Sequence, residues 1–136
     1  MDVIMANNTI RIPSPDEYII AFAAVEKFPA KPIAMLCAHR WAPGLVMTTG
    51  ELAEIVQYEG FNGVNAQYGR IGRALAVRTG LNPSMPTMML VKYHHNGREW
   101  VWTLHAQVAE ALDWLTWRSY NKENTQVFAR KKSVNP

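Results

Sequence analysis

The sequence predicts an α+β fold, and the prediction rests on the order of three features between residues 48 and 104. Two segments with helical spacing follow each other across a short turn that contains glycines. Two short apolar and aromatic segments come next and flank an Asn-Gly pair, which is typical of a β-hairpin. Helix, turn, helix and hairpin in this order outline a winged helix-turn-helix, here with additional N-terminal helices and a C-terminal helix.

The two N-terminal helices are predicted from start and stop signals. Ser14 and Glu17 stand three residues apart, as the two partners of a capping box do, and an apolar segment follows until Pro29. Pro32 suits the first turn of a second helix, which Pro43 and Gly44 end. The short apolar run 45–47 is predicted to be a strand that pairs with the later hairpin.

The first helix of the helix-turn-helix begins with the same capping signal. Thr48 is the predicted cap and Glu51 lies three residues further on. Residues 58–63 contain two glycines and are predicted to form the turn. The second helix is predicted over about 62–79 and ends at Gly80, since glycine is the usual C-cap residue. Its apolar residues at i, i+4, i+7 and i+11 form one buried stripe: Val64, Tyr68, Ile71 and Leu75.

The hairpin and the last helix complete the predicted fold. Strands over Met88–His95 and Arg98–Leu104 flank the Asn-Gly pair, and a helix over Ala106–Trp117 follows. Trp100 and Trp102 lie two apart on a strand, so they face the same way. They could form an aromatic pocket for an extruded base, but packing in the core is the favoured interpretation. The remaining tryptophans are also interpreted as packing residues: Trp41, Trp114 and Trp117.

Arginine and small residues occupy the side of the second helix that lies opposite the buried stripe. Arg70, Arg73 and Ala66 point away from the stripe, and Asn65 and Gly69 flank them. Glycine inside a helix costs up to about 1 kcal/mol relative to alanine, which suggests that something approaches the backbone closely. Duplex DNA is the favoured candidate, because arginine reads guanine and asparagine reads adenine in the major groove. The alternative is that the glycines, which include Gly72, relieve crowding against a neighbouring helix.

The predicted DNA-contacting residues extend to the start of the helix and to the hairpin. Asn62 lies in the first turn, which commonly contacts bases, and Lys92, His94, His95 and Arg98 surround the hairpin tip. A wing of this kind contacts the sugar-phosphate backbone. A charged tip also keeps a turn soluble without any ligand. The predicted DNA-binding set lies on the helix and on the wing: Asn62, Asn65, Ala66, Gly69, Arg70, Arg73, Lys92, His95 and Arg98.

Size and charge are compatible with this function without requiring it. The chain has 136 residues, a formal net charge of +3 and a pI near 9.2. We expect one winged-helix domain over 1–117, with the helix-turn-helix at about 48–80 and the wing at about 86–104. A basic, flexible tail is expected over 118–136, where five Lys or Arg accompany one Glu. No membrane span and no secretion signal are recognised, so a cytoplasmic location is expected.

Residue patterns typical of catalysis are scarce, and we expect no enzymatic activity, no cofactor and no metal. The sequence has neither a Walker phosphate loop nor a Gly-x-Ser-x-Gly motif. The single cysteine, Cys37, is interpreted as a buried structural thiol, with His39 directed elsewhere on its helix. His94 and His95 are adjacent on a strand and therefore face opposite sides, which does not suit joint metal binding. The acidic residues Glu54, Glu110 and Asp113 are interpreted as solvated.

Three motifs resemble a known protein family. They are Thr49-Gly-Glu-Leu-Ala, the run from Tyr58 to Gly72, and Glu99-Trp-Val-Trp. Together they resemble the winged-helix modules attached to bacterial HNH-type and other restriction-like endonucleases, over roughly Met47–Trp117. The resemblance implies DNA recognition, in some members of methylated DNA, and a bacterial or phage protein related to restriction. It assigns base reading to the helix positions given above and backbone contacts to Lys92 and Arg98. No nuclease signature accompanies the module.

Two functions of different class remain open. The first is a double-stranded DNA-binding protein that reads the major groove with helix 62–79 and the backbone with the 92–98 wing, with sensitivity to base modification left open. The second is a protein-interaction module on a winged-helix scaffold, such as a phage-encoded inhibitor of a bacterial defence system, since exposed tryptophans anchor protein interfaces. A homodimer is compatible with either function.

Overall fold

The computed structural model describes residues 2–5, 8–25, 28, 30–57 and 61–115, and for residues 2–5, 8–10 and 61 it describes the backbone alone. Within these ranges the chain is a mixed α+β structure of five α-helices, a three-stranded antiparallel sheet and a two-stranded hairpin. The predictions for turn residues 58–60, for Trp117 and for the tail 118–136 lie outside the described residues. No helix in these ranges is long and apolar enough to cross a membrane.

The helices and strands follow one another in a simple order. The chain begins with a hairpin of β1 (Asp2–Met5) and β2 (Asn8–Arg11), which the sequence analysis did not anticipate. The helices are α1 (Pro15–Ala24), α2 (Ala30–Trp41), α3 (Thr49–Val56), α4 (Phe61–Thr79) and α5 (Ala106–Trp114). The strands of the larger sheet are β3 (Val46–Thr48), β4 (Val91–His95) and β5 (Trp100–Leu104).

Both predicted capping boxes are confirmed. The Ser14 hydroxyl accepts a hydrogen bond from the Glu17 amide, and the Glu17 carboxylate accepts one from the Ser14 amide at 3.0 Å. Thr48 and Glu51 repeat the arrangement at the start of α3, with distances of 3.0 and 2.9 Å. Each box satisfies two backbone N–H groups that a helix start leaves without an intrahelical acceptor.

Strand β5 is the centre of the larger sheet, whose order is β3-β5-β4. The predicted pairing of the short apolar run with the hairpin is confirmed, because Met47 lies opposite Trp102 and Tyr93 lies opposite Trp102 from the other side. These three residues share one face of the sheet, since residues directly opposite each other on neighbouring strands project to the same side. The Tyr68 ring of α4 stacks on Trp102, with centroids 5.6 Å apart. Helix α4 therefore covers this face of the sheet.

The rotational orientation of α4 agrees with the predicted buried stripe. All four stripe residues have no exposed surface: Val64, Tyr68, Ile71 and Leu75. The helix ends at the predicted glycine, since Gly80 has a positive φ of 72° and the Leu81 amide donates back to the Ala76 carbonyl at 3.1 Å.

The predicted strand Met88–His95 begins three residues too early. Pro86–Met89 form a 3₁₀ turn, and β4 begins only at Val91. Met88, Met89 and Leu90 are all fully buried, whereas a strand with one solvent face buries only alternate residues. Three hydrogen bonds hold this segment in place: Tyr18 Oη donates to the Met89 carbonyl, His105 Nε2 to the Met88 carbonyl, and the His105 amide to the Leu90 carbonyl.

The last helix is shorter than predicted. Leu115 has extended backbone angles (φ −82°, ψ 153°), so α5 ends at Trp114 and not at Trp117. Val108, Leu112 and Leu115 are buried and form its inner side. His105 directly precedes the helix as its N-cap residue.

We predict opposite effects on stability from alanine at two glycines of α4. A Cβ at Gly72 would lie 2.0 Å from the Pro86 carbonyl oxygen, so Gly72→Ala must displace backbone. Its free energy of unfolding should fall by about 1–3 kcal/mol, as for overpacked cores. A Cβ at Gly69 would meet only Arg73 Nη1 at 3.9 Å, so Gly69→Ala is the matched control. Its stability should rise by up to about 1 kcal/mol through helix propensity.

Urea unfolding of both variants and the parent measures these differences. Equal stability of the two variants would contradict the close packing of α4 against the Pro86–Met89 segment.

Candidate functional site

The outward face of α4 carries unpaired positive charge. Arg70 and Arg73 are exposed, and neither forms a hydrogen bond or an ion pair with any residue that the structure describes. The helix contains no Asp or Glu along its whole length. Arg78, one turn further on, differs because its guanidinium donates to the Ala74 and Ala24 carbonyls at 3.3 and 3.4 Å. The first two arginines are therefore free to meet an anion.

The structure divides the other helix positions of the predicted set into two groups. Asn62 and Ala66 are exposed on the same side as the arginines. Asn65 is half-buried, and its Oδ1 atom is buried without a hydrogen-bond partner among the described residues. Gly69 is buried. The outward face therefore displays Asn62, Ala66, Arg70 and Arg73, whereas Asn65 turns toward the protein. Gly69 has little exposed surface of its own, but the space beside it contains only Arg73 within 4 Å of an added Cβ.

Gly72 of α4 lies very close to another segment of the same protein. Gly72 is buried against the Pro86 carbonyl, as the clash of an added Cβ shows. The interpretation that its cost reflects an approaching ligand is wrong for this residue, and the alternative, relief of internal crowding, is confirmed there. Gly69 has no such neighbour, because only Arg73 lies within 4 Å of an added Cβ.

The hairpin tip is built by side chain–backbone hydrogen bonds. Asn96 Oδ1 accepts from the Arg98 and Glu99 amides at 2.9 and 3.0 Å, and Gly97 supplies a positive φ of 95°. His95 Nδ1 accepts from the Gly97 amide at 3.0 Å. Arg98 is exposed at this tip, and Lys92 is exposed on the outer face of β4. The tip is thus an ordered turn that presents cationic side chains.

Glu99, the acidic residue of the hairpin, is hydrogen-bonded within the protein. Glu99 Oε1 accepts a hydrogen bond from the Gly50 amide at 3.0 Å, in the first turn of α3. A carboxylate is stabilised at a helix N-terminus by the partial positive charge of the unpaired amides. An added Cβ at Gly50 would lie 2.9 Å from the same oxygen. This bond links the hairpin to α3 and offsets the one negative charge beside Arg98.

A buried histidine connects the elements that position α4. His39 of α2 is fully buried, with Nδ1 3.0 Å from the Tyr68 hydroxyl and Nε2 3.0 Å from the Trp102 carbonyl. A carbonyl only accepts, so Nε2 carries the proton and Nδ1 accepts from Tyr68. Burial lowers the pKa of His39 from its ordinary value of 6.5 to about 4, which keeps the ring neutral. This role of His39 was not predicted from the sequence, although His39 continues the buried face of Met35 and Leu36 at helical spacing.

Aromatic rings continue from His39 to the surface of the hairpin. Successive centroids lie 5.9 Å apart for His39 and Tyr68, 5.6 Å for Tyr68 and Trp102, and 6.0 Å for Trp102 and Tyr93. Trp100 follows at 6.0 Å from Tyr93 and touches His95 at 5.2 Å. The interpretation of both hairpin tryptophans as core residues is confirmed for Trp102, which is 2% exposed. It is wrong for Trp100, which is 41% exposed.

Two further tryptophans lie on the surface, where packing in the core was predicted. Trp41 and Trp114 are 68% and 74% exposed, so that interpretation is wrong for both. Each is the last residue of its helix, and the preceding residues join the two helices through a bidentate Arg40–Asp113 ion pair with distances of 3.0 and 2.6 Å. Asp113, interpreted as solvated, is therefore paired.

A shallow groove of about 400 Å³ lies beside this ion pair. Its lining combines the ion pair with small and acidic residues, among them Ala42, Gly44, Ala106 and Glu110. Cys37, interpreted as a buried thiol, is partly buried against the core. The described ranges contain no group of three or more His, Cys, Asp or Glu side chains suited to a metal ion.

Comparison of the chain with protein-family models, curated proteins and solved structures finds no match in any of the three.

The neutral state of His39 predicts how stability depends on pH. Because the folded pKa is depressed, the unfolded chain binds a proton that the folded chain does not between pH 6.5 and 4. Stability is therefore fully present above pH 6.5 and falls by about 3 kcal/mol as the pH falls through this window to 4. Burial also lowers the pKa of His105, which acts in the same direction.

The variant His39→Gln isolates this contribution. Urea unfolding between pH 7 and 4 should show a less stable protein at pH 7 and a pH-dependent loss smaller than the parent's by about 3 kcal/mol. His94→Gln, which changes an exposed histidine of the hairpin, is the matched control. A parent and a His39→Gln variant that lose equal stability over this range would refute a neutral His39.

Proposed function

We propose that this protein binds double-stranded DNA, with the outward face of α4 in the major groove and the β4–β5 hairpin on the sugar-phosphate backbone. The observation that carries the proposal is the pair Arg70 and Arg73, exposed and unpaired within the described part of the chain, on a helix that has no acidic residue. Ordinary solvent-exposed helix faces mix both signs of charge. A face with arginines and small residues alone suits a polyanion.

The order of elements supports the same proposal. Helix α2, strand β3, helices α3 and α4, and the hairpin β4–β5 follow one another, and β3 pairs with β5. This order is compatible with the layout of a winged helix, in which the helix equivalent to α4 enters the groove and the hairpin flanks it. We propose that residues 30–104 form such a unit, extended by α1 and α5.

The roles of individual side chains follow from their chemistry. Arginine donates two hydrogen bonds to guanine O6 and N7 or to a phosphate, so Arg70 and Arg73 are the proposed principal contacts. Asn62 in the first turn is suited to an adenine edge, and Ala66 to a thymine methyl group. Lys92 and Arg98 supply contacts that fix register without reading sequence. His95 is a weaker candidate, because its Nδ1 already accepts from the Gly97 amide. The proposed activity is binding alone, without catalysis.

We predict that Arg70→Ala and Arg73→Ala each weaken duplex binding. A base-reading arginine contributes about 1–3 kcal/mol, or roughly 5- to 150-fold in Kd. A phosphate-contacting arginine instead lowers the slope of log K against log salt by about 0.9. Fluorescence anisotropy with labelled duplexes at several salt concentrations separates the two cases. Unmodified, adenine-methylated and cytosine-methylated duplexes tested in parallel measure sensitivity to base modification.

Arg11→Ala is the charge-matched control for this experiment. It removes the same positive charge from the protein, but Arg11 is already paired with Glu17 at 2.8 Å, so binding should change little. If Arg70→Ala and Arg73→Ala both bind like the parent, α4 is not the DNA-binding helix.

The exposed tryptophans favour a second candidate function, binding to a protein partner. Trp41 and Trp114 end two helices that the Arg40–Asp113 ion pair joins, and a groove lies beside that pair. Tryptophan is among the residues that dominate binding energy at protein interfaces. A partner with an apolar surface suits this region.

The double variant Trp41→Ser, Trp114→Ser is predicted to separate the two functions. Both side chains are mostly exposed, so thermal stability should change little. A partner retained by the immobilised parent in a pull-down, and lost by the double variant, would support the protein-interaction function. Under the DNA-binding function the double variant should bind duplex DNA as the parent does. A double variant that loses DNA affinity would contradict the assignment of DNA binding to α4 and the hairpin.

A further inference from the structure

We propose that Trp100, held edge-to-face by His95, forms an aromatic platform on which an unpaired base of a bound DNA duplex stacks. The inference rests on the proposed DNA-binding function and deepens it, since it names the class of duplex preferred: one with a bulged or extrahelical base.

The indole of Trp100 is exposed near the hairpin turn. Trp100 and Trp102 lie on the same face of β5, two residues apart, and α4 covers that face through the stacking of Tyr68 on Trp102. Exposure rises from 2% at Trp102 to 41% at Trp100, which is nearer the hairpin turn. Trp100 therefore lies on the α4 side of the sheet, between the cover that α4 provides and the cationic tip of the hairpin.

Trp100 stays uncovered because the larger sheet narrows beside it. Strand β3 ends at Thr48, which lies opposite Val101, so its pairing with β5 stops before Trp100. The cross-strand neighbour of Trp100 on β4 is His95, which is itself exposed. The sheet narrows to two strands at this point, and its inner face opens to solvent.

Two neighbouring aromatic rings hold the exposed indole of Trp100 in place. His95 meets Trp100 at 89° and Tyr93 meets it at 77°, both in edge-to-face geometry. The His95 ring is fixed by the Gly97 amide, and the Tyr93 hydroxyl lies 3.2 Å from Thr87 Oγ1. An aromatic ring that is exposed but already ordered loses little entropy when a ligand stacks on it.

The chemistry of the ligand follows from what an indole recognises. A base inside an intact duplex is stacked on both sides and offers no free ring face, whereas an unpaired base can leave the stack at low cost. Stacking of one base on an aromatic side chain corresponds to roughly 5- to 150-fold in affinity. Stacking releases no counterion, so this contribution should not depend on salt in the way that phosphate contacts do.

The test compares binding to a fully paired duplex with binding to the same duplex carrying a one-base bulge. The parent should prefer the bulged duplex by roughly 5- to 150-fold. Trp100→Ala should remove this preference at every salt concentration without changing the salt slope, and Trp100→Phe should retain most of it. Trp41→Ala changes another exposed tryptophan and should bind both duplexes like the parent.

A bulged 2-aminopurine gives a readout of stacking that does not depend on affinity. Its fluorescence should be quenched by the parent and by Trp100→Phe, and not by Trp100→Ala at saturating concentration. Circular dichroism checks that each variant is folded, and if Trp100→Ala does not fold, Trp100→Leu takes its place as the non-aromatic variant.

Failure of the aromatic platform and failure of the proposed DNA-binding function give different results in these experiments. Equal affinity of the parent for both duplexes, or a preference that survives in the non-aromatic variant, overturns the platform. The DNA-binding function then still stands if Arg70→Ala weakens binding to the paired duplex. A parent that binds neither duplex overturns the proposed function itself.

Discussion

The rotation of α4 about its own axis decides which of its side chains reach solvent, and a buried polar contact fixes that rotation. Four apolar residues one to two turns apart remove one side of the helix from water. Within that stripe, Tyr68 donates its hydroxyl proton to His39, and His39 donates to the Trp102 carbonyl. Apolar burial alone tolerates some sliding, whereas a buried hydroxyl that loses its partner costs about 1–3 kcal/mol. Helix α2, helix α4 and strand β5 are thereby held in one register.

The charged surface is a consequence of this register. With Tyr68 inside, Arg70 and Arg73 must lie outside, because residues two and five positions away fall on other faces of the helix. Gly69 and Gly72 of α4 then differ in purpose: Gly72 admits the Pro86 carbonyl, and Gly69 leaves open space beside Arg73. Glu99, bound to the Gly50 amide, keeps the nearest hairpin carboxylate at the start of α3. Cationic side chains therefore dominate both the helix face and the hairpin tip.

Within the described ranges, exposed tryptophans occur in two regions that belong to different elements. Trp100 lies on the hairpin beside the cationic tip, whereas Trp41 and Trp114 end α2 and α5 around the Arg40–Asp113 ion pair. Both indoles point to solvent at the ends of their helices, although the residues that follow them, Ala42 and Leu115, are buried. This separation lets a nucleic-acid function and a protein-binding function be tested independently, because variants in one region leave the other intact.

Most of the structural features that could be predicted from the sequence came from local signals. Both capping boxes, the glycine that ends α4 and the buried stripe follow from spacing within a few residues, and each was predicted correctly. Exposure of Arg70 and Arg73 followed from the same periodicity. Contacts between distant residues were decided only by the tertiary structure: the Pro86–Met89 turn against Gly72, the His39 hydrogen bonds and the exposure of the surface tryptophans. The physical reason is packing. Whether a position is buried depends on which helices and strands are in contact there, and no short stretch of sequence encodes that contact.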